Sequence, residues 1–277
     1  MTPQLAEAAA NALTVVRVAG LATVQDLGRP GFMHMGVPVG GALAPDLCAR
    51  ANAAVGNDLS EAVIELVGAI TVRAERALTL ATDDAQPRHI DAGDVLVLAP
   101  SPQVRYLAVR GGLDVPVVLG GRGTLLAATL GGHHGRVLAK GDALLVGDAP
   151  RRAPTMAAPP DPTAAVRVLA GPDVMRFSGG LAQLTDVTWH IGARRDRAGV
   201  LLAGAHVRSD LDPALVARSV SAPMVRGAIQ VPPSGEPIVL GPDHPTTGGY
   251  PVIAVIATAD FGSFFMRGAG VCVRFSA

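Results

Sequence analysis

The chain has 277 residues, enough for roughly two domains at about 150 residues each. Lys plus Arg (23) equals Asp plus Glu (23), which argues against the basic stripe of a nucleic-acid binder and against a polybasic membrane-surface segment. Hydrophobic residues are 49% and charged residues 17%, so general disorder is excluded, and no charge-free run, Pro30–Pro45 among them, reaches the about 20 apolar residues of a membrane span.

Gly (33) and Pro (22) together far exceed the usual share of about 12%. Without a collagen-like period, that implies many turns and many short strands. Aromatics are only 3%, so the core is expected to be Val, Leu, Ile and Ala, and stacking platforms for bases are scarce. The two cysteines, Cys48 and Cys272, lie far apart and make neither a disulfide scaffold nor a zinc site. Met1–Asn11 is Ala-rich, carries Glu7 and lacks a basic start, so it does not read as a secretory signal. A reducing, cytoplasmic setting follows.

In chain order, residues 1–12 read as a disordered tail. Thr14–Ala19 (T-V-V-R-V-A) reads as the first strand. Pro45–Val55 is the best helix of the first half, with Pro45 or Asp46 at its start and Gly56-Asn57 stopping it. Short apolar runs follow at Ala62–Leu66, Ile70–Val72, Leu78–Ala81, Val95–Leu98, Tyr106–Val109, Val115–Leu119 and Ala143–Val146. Ala92-Gly93-Asp94 and Lys140-Gly141-Asp142 each read as a turn feeding a strand. Pro150–Pro162 holds five prolines in thirteen residues, which cannot sit inside a sheet. The expected division is therefore a module over 13–150, a linker over 151–162 and a second module over 163–277. The second module continues with strands at Val166–Ala170, Thr188–Ile191, Gly199–Leu202, Gly227–Val231, Ile238–Leu240, Val252–Ala257 and Val271–Phe275, and a short helix at Asp260–Met266. Regularly spaced short strands of this kind predict a mostly β chain.

Three segments hold groups with chemistry. Thr23–Gly31 (T-V-Q-D-L-G-R-P-G) packs Gln25, Asp26 and Arg29 around a turn. Arg29 suits a carboxylate or phosphate; Asp26 suits a general base or a partner for Arg29. A purely structural Asp–Arg turn is equally compatible with the spacing. Met35–Leu43 (M-G-V-P-V-G-G-A-L) offers backbone N–H groups before the Pro45 helix, but no G-x-x-x-x-G-K-[ST] cradle is present. In the second half, Gln230 sits in an apolar strand where an amide needs partners. Thr246-Thr247-Gly248-Gly249-Tyr250 groups hydroxyls and backbone donors in one loop. The alternative there is a tight turn with a packed Tyr.

Other candidates are weaker. His133 and His134 are adjacent, and on a strand they would face opposite sides. His34, His190, His206 and His244 show no metal spacing, so no metal is expected. Serines occur without a G-x-S-x-G elbow. Cys48 reads as a small core residue.

T-V-Q-D-L-G-R-P-G, H-M-G-V-P-V-G-G-A-L, A-N-A-A-V-G-N and I-E-L resemble the biotin-dependent carboxyltransferase family, also labelled allophanate hydrolase subunit 2 or KipA-like, which includes the C subunit of 5-oxoprolinase. The likeness continues through L-A-V-R-G-G-L-D-V-P-V-V-L-G-G-R-G-T, L-G-G-H-H-G-R-V-L-A-K-G-D, G-A-I-Q-V-P-P-S-G-E-P-I-V-L and T-T-G-G-Y-P-V-I-A-V, from about Val16 to Phe275. It implies two β-barrel-like, cyclophilin-like modules. It implies a partner, a KipI-like or allophanate hydrolase subunit 1 protein, and a further LamB/YcsF-like subunit. The assembly it implies is an ATP-dependent 5-oxoprolinase opening the lactam of 5-oxoproline to glutamate. The alternative is the carboxyltransferase half of a biotin-dependent urea or amide carboxylase, with biotin carried on another protein, since this chain has no A-M-K-M-like motif. A further alternative is a regulatory partner of a KipI-like protein without chemistry of its own. On any of these readings the isolated chain need not be active.

Both chemistries need donors for a developing oxyanion and an acceptor for a proton. Asp26, Arg29 and Glu65 are the expected catalytic residues. Gln25, Asn52, Gln230, Thr246, Thr247, Gly248, Gly249 and Tyr250 are the expected substrate-binding residues. For Glu65 the plainer role is a partner for Arg29 or Arg73; for Asn52 it is a bond to a loop. Two segments depart from the family pattern. Asp243-His244-Pro245 stands where D-R-Q is usual, and Arg195-Asp196-Arg197-Ala198-Gly199 stands where S-[DN]-R-M-G is frequent. A changed substrate and drift at a subunit contact are both compatible with these departures.

Overall fold

The computed structural model describes residues 12–148, 161–212 and 220–277. The expected tail, apart from Ala12, and the expected linker, apart from Asp161 and Pro162, lie outside them. By its contacts the chain divides into two units, Met1–Arg29 with Gly40–Pro159 and Pro30–Val39 with Pro160–Ala277. Pro30–Val39, expected in the first module, thus groups with the second. The fold is mostly β, with one sheet curled into a nearly closed barrel and the other into a half-barrel.

The first unit is built on β1 (Ala12–Gln25), β2 (Val63–Ala74), β3 (Leu78–Thr82), β4 (Arg88–Ile90), β5 (Val95–Val109) and β6 (Ala143–Leu145), in the order β4-β3-β5-β2-β1-β6. β1 and β2 pair antiparallel from Leu13↔Ala74 to Gln25↔Val63. At their middle Gly20 faces Gly68, both at φ near +120°. A Cβ on either would run into the opposite strand's carbonyl, Val67 O or Ala19 O. Only glycine allows that close approach, which interrupts the apolar pattern and makes one strand read as two runs, Ala62–Leu66 and Ile70–Val72.

Val95–Leu98 and Tyr106–Val109 are also one strand. Pro100 and Pro102 lie inside β5, where the register against β2 shifts on both sides of Gly68↔Ser101. The bulges absorb residues that cannot donate to the ladder. Val115–Leu119 is not a strand: Val118 makes an isolated bridge to Gly121, with Leu119 at φ 53°. The Gly93 and Gly141 turns do feed strands, with Asp94 Oδ2 accepting from Asp91 N and Asp142 Oδ2 from Ala139 N.

α1 (Pro45–Ala54) starts with proline in its first turn and Asp46 beside the positive end of its dipole. Gly56, at φ 77°, follows its last turn. The core of this unit is aliphatic, including Leu13, Val15, Ile64, Leu66, Leu80 and Leu107, all at most 1% exposed.

The second unit holds β7 (Val166–Ala170), α2 (Ala182–Thr185), β8 (Trp189–Arg195), β9 (Gly199–Ala203), β10 (Ala222–Pro223), β11 (Ala228–Gln230), β12 (Ile238–Leu240), β13 (Thr247–Gly248), β14 (Val252–Ile256), α3 (Phe261–Phe265), β15 (Cys272–Val273) and β16 (Phe275–Ser276). The main sheet runs β15-β8-β9-β12-β11-β14-β7-β16, and β10 pairs with β13. α2, four residues long, is too short to show a helical period. This core departs from the aliphatic expectation. Phe177, Trp189, Phe261, Phe264, Phe265 and Phe275 are all buried here, and Trp189 Nε1 donates to Leu184 O at 3.0 Å. The few aromatics are concentrated in one unit rather than spread along the chain.

Candidate functional site

In the first unit the expected residues form two buried clusters. Gln25, Asp26 and Arg29, at the end of β1 and in the turn after it, all reach the loop 118–132. Gln25 Nε2 donates to Thr124 O at 3.0 Å and to Thr23 Oγ1 at 3.1 Å. Asp26 accepts from Gly28 N through Oδ1 at 2.8 Å and from Arg122 N through Oδ2 at 2.5 Å. Arg29 donates from Nε to Val118 O at 3.3 Å and from its guanidinium to Gly123 O. The loop comes close enough that Cβ atoms would not fit. One on Gly123 would lie 2.7 Å from Gln25 Oε1, and one on Gly131 would lie 2.6 Å from the Arg29 guanidinium. Charge and amide groups therefore grip backbone, in a place where unsatisfied groups would be costly.

Glu65 on β2 forms the second cluster. Its Oε2 accepts from Leu43 N at 2.7 Å and from the Tyr106 hydroxyl at 2.8 Å. That hydroxyl accepts from Ala44 N at 2.8 Å, so the approach to α1 is latched. Burial, then the Glu65 charge, pushes the Tyr106 phenol well up. Burial likewise pushes the Cys48 thiol up, with Glu65 and Asp26 adding to it, so Cys48 is no thiolate. Arg73 pairs with Glu75 at 2.7 Å. Asn52 donates to Glu61 O at 2.8 Å and Leu59 O at 3.4 Å, and accepts from Asn57 Nδ2 at 3.0 Å.

A cleft of about 600 Å³ opens in this unit. Val118, Gly131, Gly132, His133 and His134 line it, together with Leu144 and Asp114. The loop that Gln25, Asp26 and Arg29 hold is thus one of its walls, although those three do not line it. His133 and His134 lie in a turn, not a strand, with His134 at φ 59° and the two rings 4.4 Å apart, edge to face. Gly131, Gly132 and Gly135, all at positive φ, make that turn. His133 Nε2 is 3.4 Å from Asp142 Oδ1, and Arg136 grips the same carboxylate. Burial depresses the His133 pKa despite that neighbour.

In the second unit a cleft of about 390 Å³ brings Gln230 and Tyr250 together with Arg194, Arg195 and Asp196. Leu201, Ile238 and Leu240 supply apolar surface, and Pro245 forms part of the rim. Gln230 ends β11 opposite Ile238 of β12. Its Nε2 donates to Met224 Sδ at 3.2 Å and Tyr250 O at 3.3 Å. Gly248 makes room for this amide, since a Cβ there would lie 2.8 Å from Nε2. Thr246, Thr247 and Gly249 belong to the same loop but do not line the cleft. His244 is buried, its Nδ1 donating to Pro245 O at 2.7 Å while Nε2 has no hydrogen-bond partner. Burial lowers its pKa, so the imidazole is neutral where the usual pattern has a cation.

The two departures from the usual pattern converge here. Arg195, Ala198 and Gly199 from one, and Pro245 from the other, line the same cleft. Sequence reasoning named Gln230 and Tyr250, marked Arg195 only as part of a departure from the family pattern, and passed over Arg194. The run R-R-D-R was the available signal.

The family described as "Carboxyltransferase domain, subdomain A and B" matches residues 35–277. The C subunit of 5-oxoprolinase from Escherichia coli (strain K12) is 34% identical over 268 residues, covering 90% of this chain and 85% of that protein. The chain belongs to the carboxyltransferase subdomain A and B family. It carries a catalytic domain of this family, and its identity to known proteins extends in two directions. The urea amidolyase of Saccharomyces cerevisiae is 35% identical over 142 residues, which is 45% of this chain and 8% of that one. The solved structure of TTHA0988 superposes with a TM-score of 0.80 at 28% identity, over 96% of this chain and 56% of that chain. This carboxyltransferase-type domain therefore spans only part of the TTHA0988 chain and a small part of urea amidolyase. Among the described residues, no group of three His, Cys, Asp or Glu could hold a metal ion, and no helix is long and apolar enough to cross a membrane.

Proposed function

We propose that this chain is a subunit of an ATP-dependent 5-oxoprolinase, acting with a KipI-like subunit and a LamB/YcsF-like subunit to open 5-oxoproline to glutamate. The observation that carries this reading is the extent of the match to the 5-oxoprolinase relative, which covers 90% of this chain and 85% of that protein. The sequence match to the urea amidolyase of Saccharomyces cerevisiae covers 45% of this chain, while the fold alone is shared with the Kluyveromyces lactis urea amidolyase over 96% of it. Lactam opening adds water across the ring amide, breaks the C–N bond and frees the ring nitrogen as an amine. A protein assists by donating hydrogen bonds to the carbonyl oxygen as it gains charge. Gln230 and Tyr250 supply amide and hydroxyl groups to a cleft of suitable size, and we assign them to substrate binding. Asp26, Arg29 and Glu65 remain proposed for the chemistry through the loops they hold. ATP is a co-substrate of the complex, and this sequence has no P-loop for it.

The second reading, the carboxyltransferase part of a biotin-dependent urea or amide carboxylase, is favoured by the urea amidolyase match. Biotin would then arrive on another protein. The curled sheets support barrel-like modules, and two free cysteines suit a cytoplasmic complex. The deciding experiment is ATP-dependent glutamate release from 5-oxoproline by the three co-expressed subunits, with this chain omitted as control. Activity lost only on omission supports the oxoprolinase. An assembled but inactive complex directs the search to carboxylation of urea-like amides.

A further inference from the structure

We propose that the second-unit cleft binds a small organic carboxylate that also carries an amide, with Arg194 and Arg195 holding the carboxylate and Gln230 and Tyr250 the amide. Arg195 is half-buried, and its one hydrogen bond among the described residues is from Nη1 to Arg267 O at 2.6 Å. Burial alone depresses its pKa, with no carboxylate offsetting the effect. Arg194, beside it on β8, is exposed and makes no side-chain hydrogen bond or ion pair among the described residues. A guanidinium withdrawn from water without an anion is unfavourable, and a carboxylate taken bidentately is the partner its fork fits. The acid that lines this cleft does not supply it. Asp196 turns Oδ1 to Ala198 N at 2.8 Å and Gly199 N at 3.0 Å. Both arginines line the cleft, and the register shift against β9 between Ile191 and Arg195 interrupts the alternation that would otherwise turn neighbouring side chains to opposite faces.

The neutral end is equally specific. Gln230 Nε2 is engaged by Met224 Sδ and Tyr250 O, which leaves Oε1 to accept an N–H. The Tyr250 hydroxyl makes no hydrogen bond among the described residues and can donate to a carbonyl oxygen. Leu201, Ile238 and Leu240 line the same cleft and suit a short hydrocarbon ring or chain. A lactam acid has this set of groups; urea has no group for the arginines.

The inference rests on the oxoprolinase reading only for which acid is the natural one. The test uses the assembled complex, with 5-oxoproline and 2-pyrrolidinone, the same lactam without its carboxylate, as calorimetric probes. Arg194→Ala and Arg195→Gln are each expected to weaken 5-oxoproline by about tenfold or more and to leave 2-pyrrolidinone within about twofold. Arg194 is exposed, so its variant keeps the fold and decides the matter if Arg195→Gln does not. Folded variants that bind 5-oxoproline like the parent overturn the inference. So does a parent that binds the two probes equally, or does not bind 5-oxoproline. Arginine-dependent binding without glutamate release would sink the oxoprolinase reading and keep the cleft; glutamate release with a KM indifferent to both arginines would do the reverse.

Discussion

Arg197 and Asp243 form a buried bidentate ion pair that ties the turn between β8 and β9 to the loop after β12. Nε meets Oδ2 at 2.7 Å and Nη2 meets Oδ1 at 3.0 Å, with the side chains 6% and 9% exposed. The backbone doubles the tie, Asp243 N donating to Arg197 O at 3.0 Å and Gly241 N to Ala198 O at 2.9 Å. Both walls of the second-unit cleft hang on this clamp, since Arg195 and Ala198 flank one partner and Pro245 follows the other. Removing one partner strands a buried charge. Arg197→Ala is expected to cost about 3–5 kcal/mol in denaturant unfolding. Arg197→Met with Asp243→Leu is expected to recover most of that, because neither charge is then left alone. A single variant as stable as the parent would show the pair to be idle.

His244 predicts a pH dependence. Its imidazole is buried and its folded pKa is depressed, chiefly by desolvation. Below the unfolded value of about 6.5, the unfolded chain binds a proton that the folded chain refuses. Stability is therefore full above about pH 6.5 and falls as pH drops below it. His133 is shifted the same way, so the measurement is a difference. His244→Gln is expected to flatten the stability curve between about pH 6.5 and 5 relative to the parent. Parallel curves would contradict a neutral buried imidazole.

The loop 118–132 is held by glycines as much as by polar side chains. A Cβ on Gly131, already at φ 66°, would meet Gly123 O and the Arg29 guanidinium, both fixed. Gly131→Ala is expected to destabilise by at least about 1–3 kcal/mol. Arg29→Ala takes the guanidinium donor from Gly123 O and one of two donors from Val118 O, which keeps Gly121 N, and is expected to cost a comparable amount. Limited proteolysis is the local readout, with cutting expected between residues 118 and 132 in both variants before global unfolding. Unchanged protection would remove the loop from Arg29's role.

Much of this was legible in the sequence, and the rest was hidden for identifiable reasons. Strands with uninterrupted apolar runs, such as Ile238–Leu240, and the Pro45 helix could be read directly, because local propensity and packing agree there. β2 and β5 could not be read as single long strands. Gly68, Pro100 and Pro102 interrupt their pattern, and only cross-strand register shows that bulges absorb them. Gln25, Asp26 and Arg29 were visible as a polar cluster, but apart from Thr23 and Gly28 the partners they reach lie 89 to 99 residues away, beyond any spacing rule. Gln230 stood out as an amide in an apolar strand. Arg195 was marked only as a departure from the family pattern and Arg194 not at all, since an arginine without an anion is recognised only once its surroundings are known.

Gly248 and Gln230 give the sharpest test of the second-unit cleft. Gln230→Ala removes the amide from the wall and leaves a small gap at the end of β11. It is expected to lower activity of the assembled complex by about 10–100-fold while costing little stability, since its partners are a thioether and a partly exposed carbonyl. Gly248→Ala puts a methyl 2.8 Å from Gln230 Nε2, so the amide must swing away. The two substitutions remove the same thing, one by truncation and one by displacement. Their effects should therefore not add: Gly248→Ala is expected to lower activity alone and to do almost nothing further in the Gln230→Ala background. Additive losses would mean that Gly248 acts through the β10–β13 pairing, where it faces Ala222, and that the Gln230 amide is not what it protects.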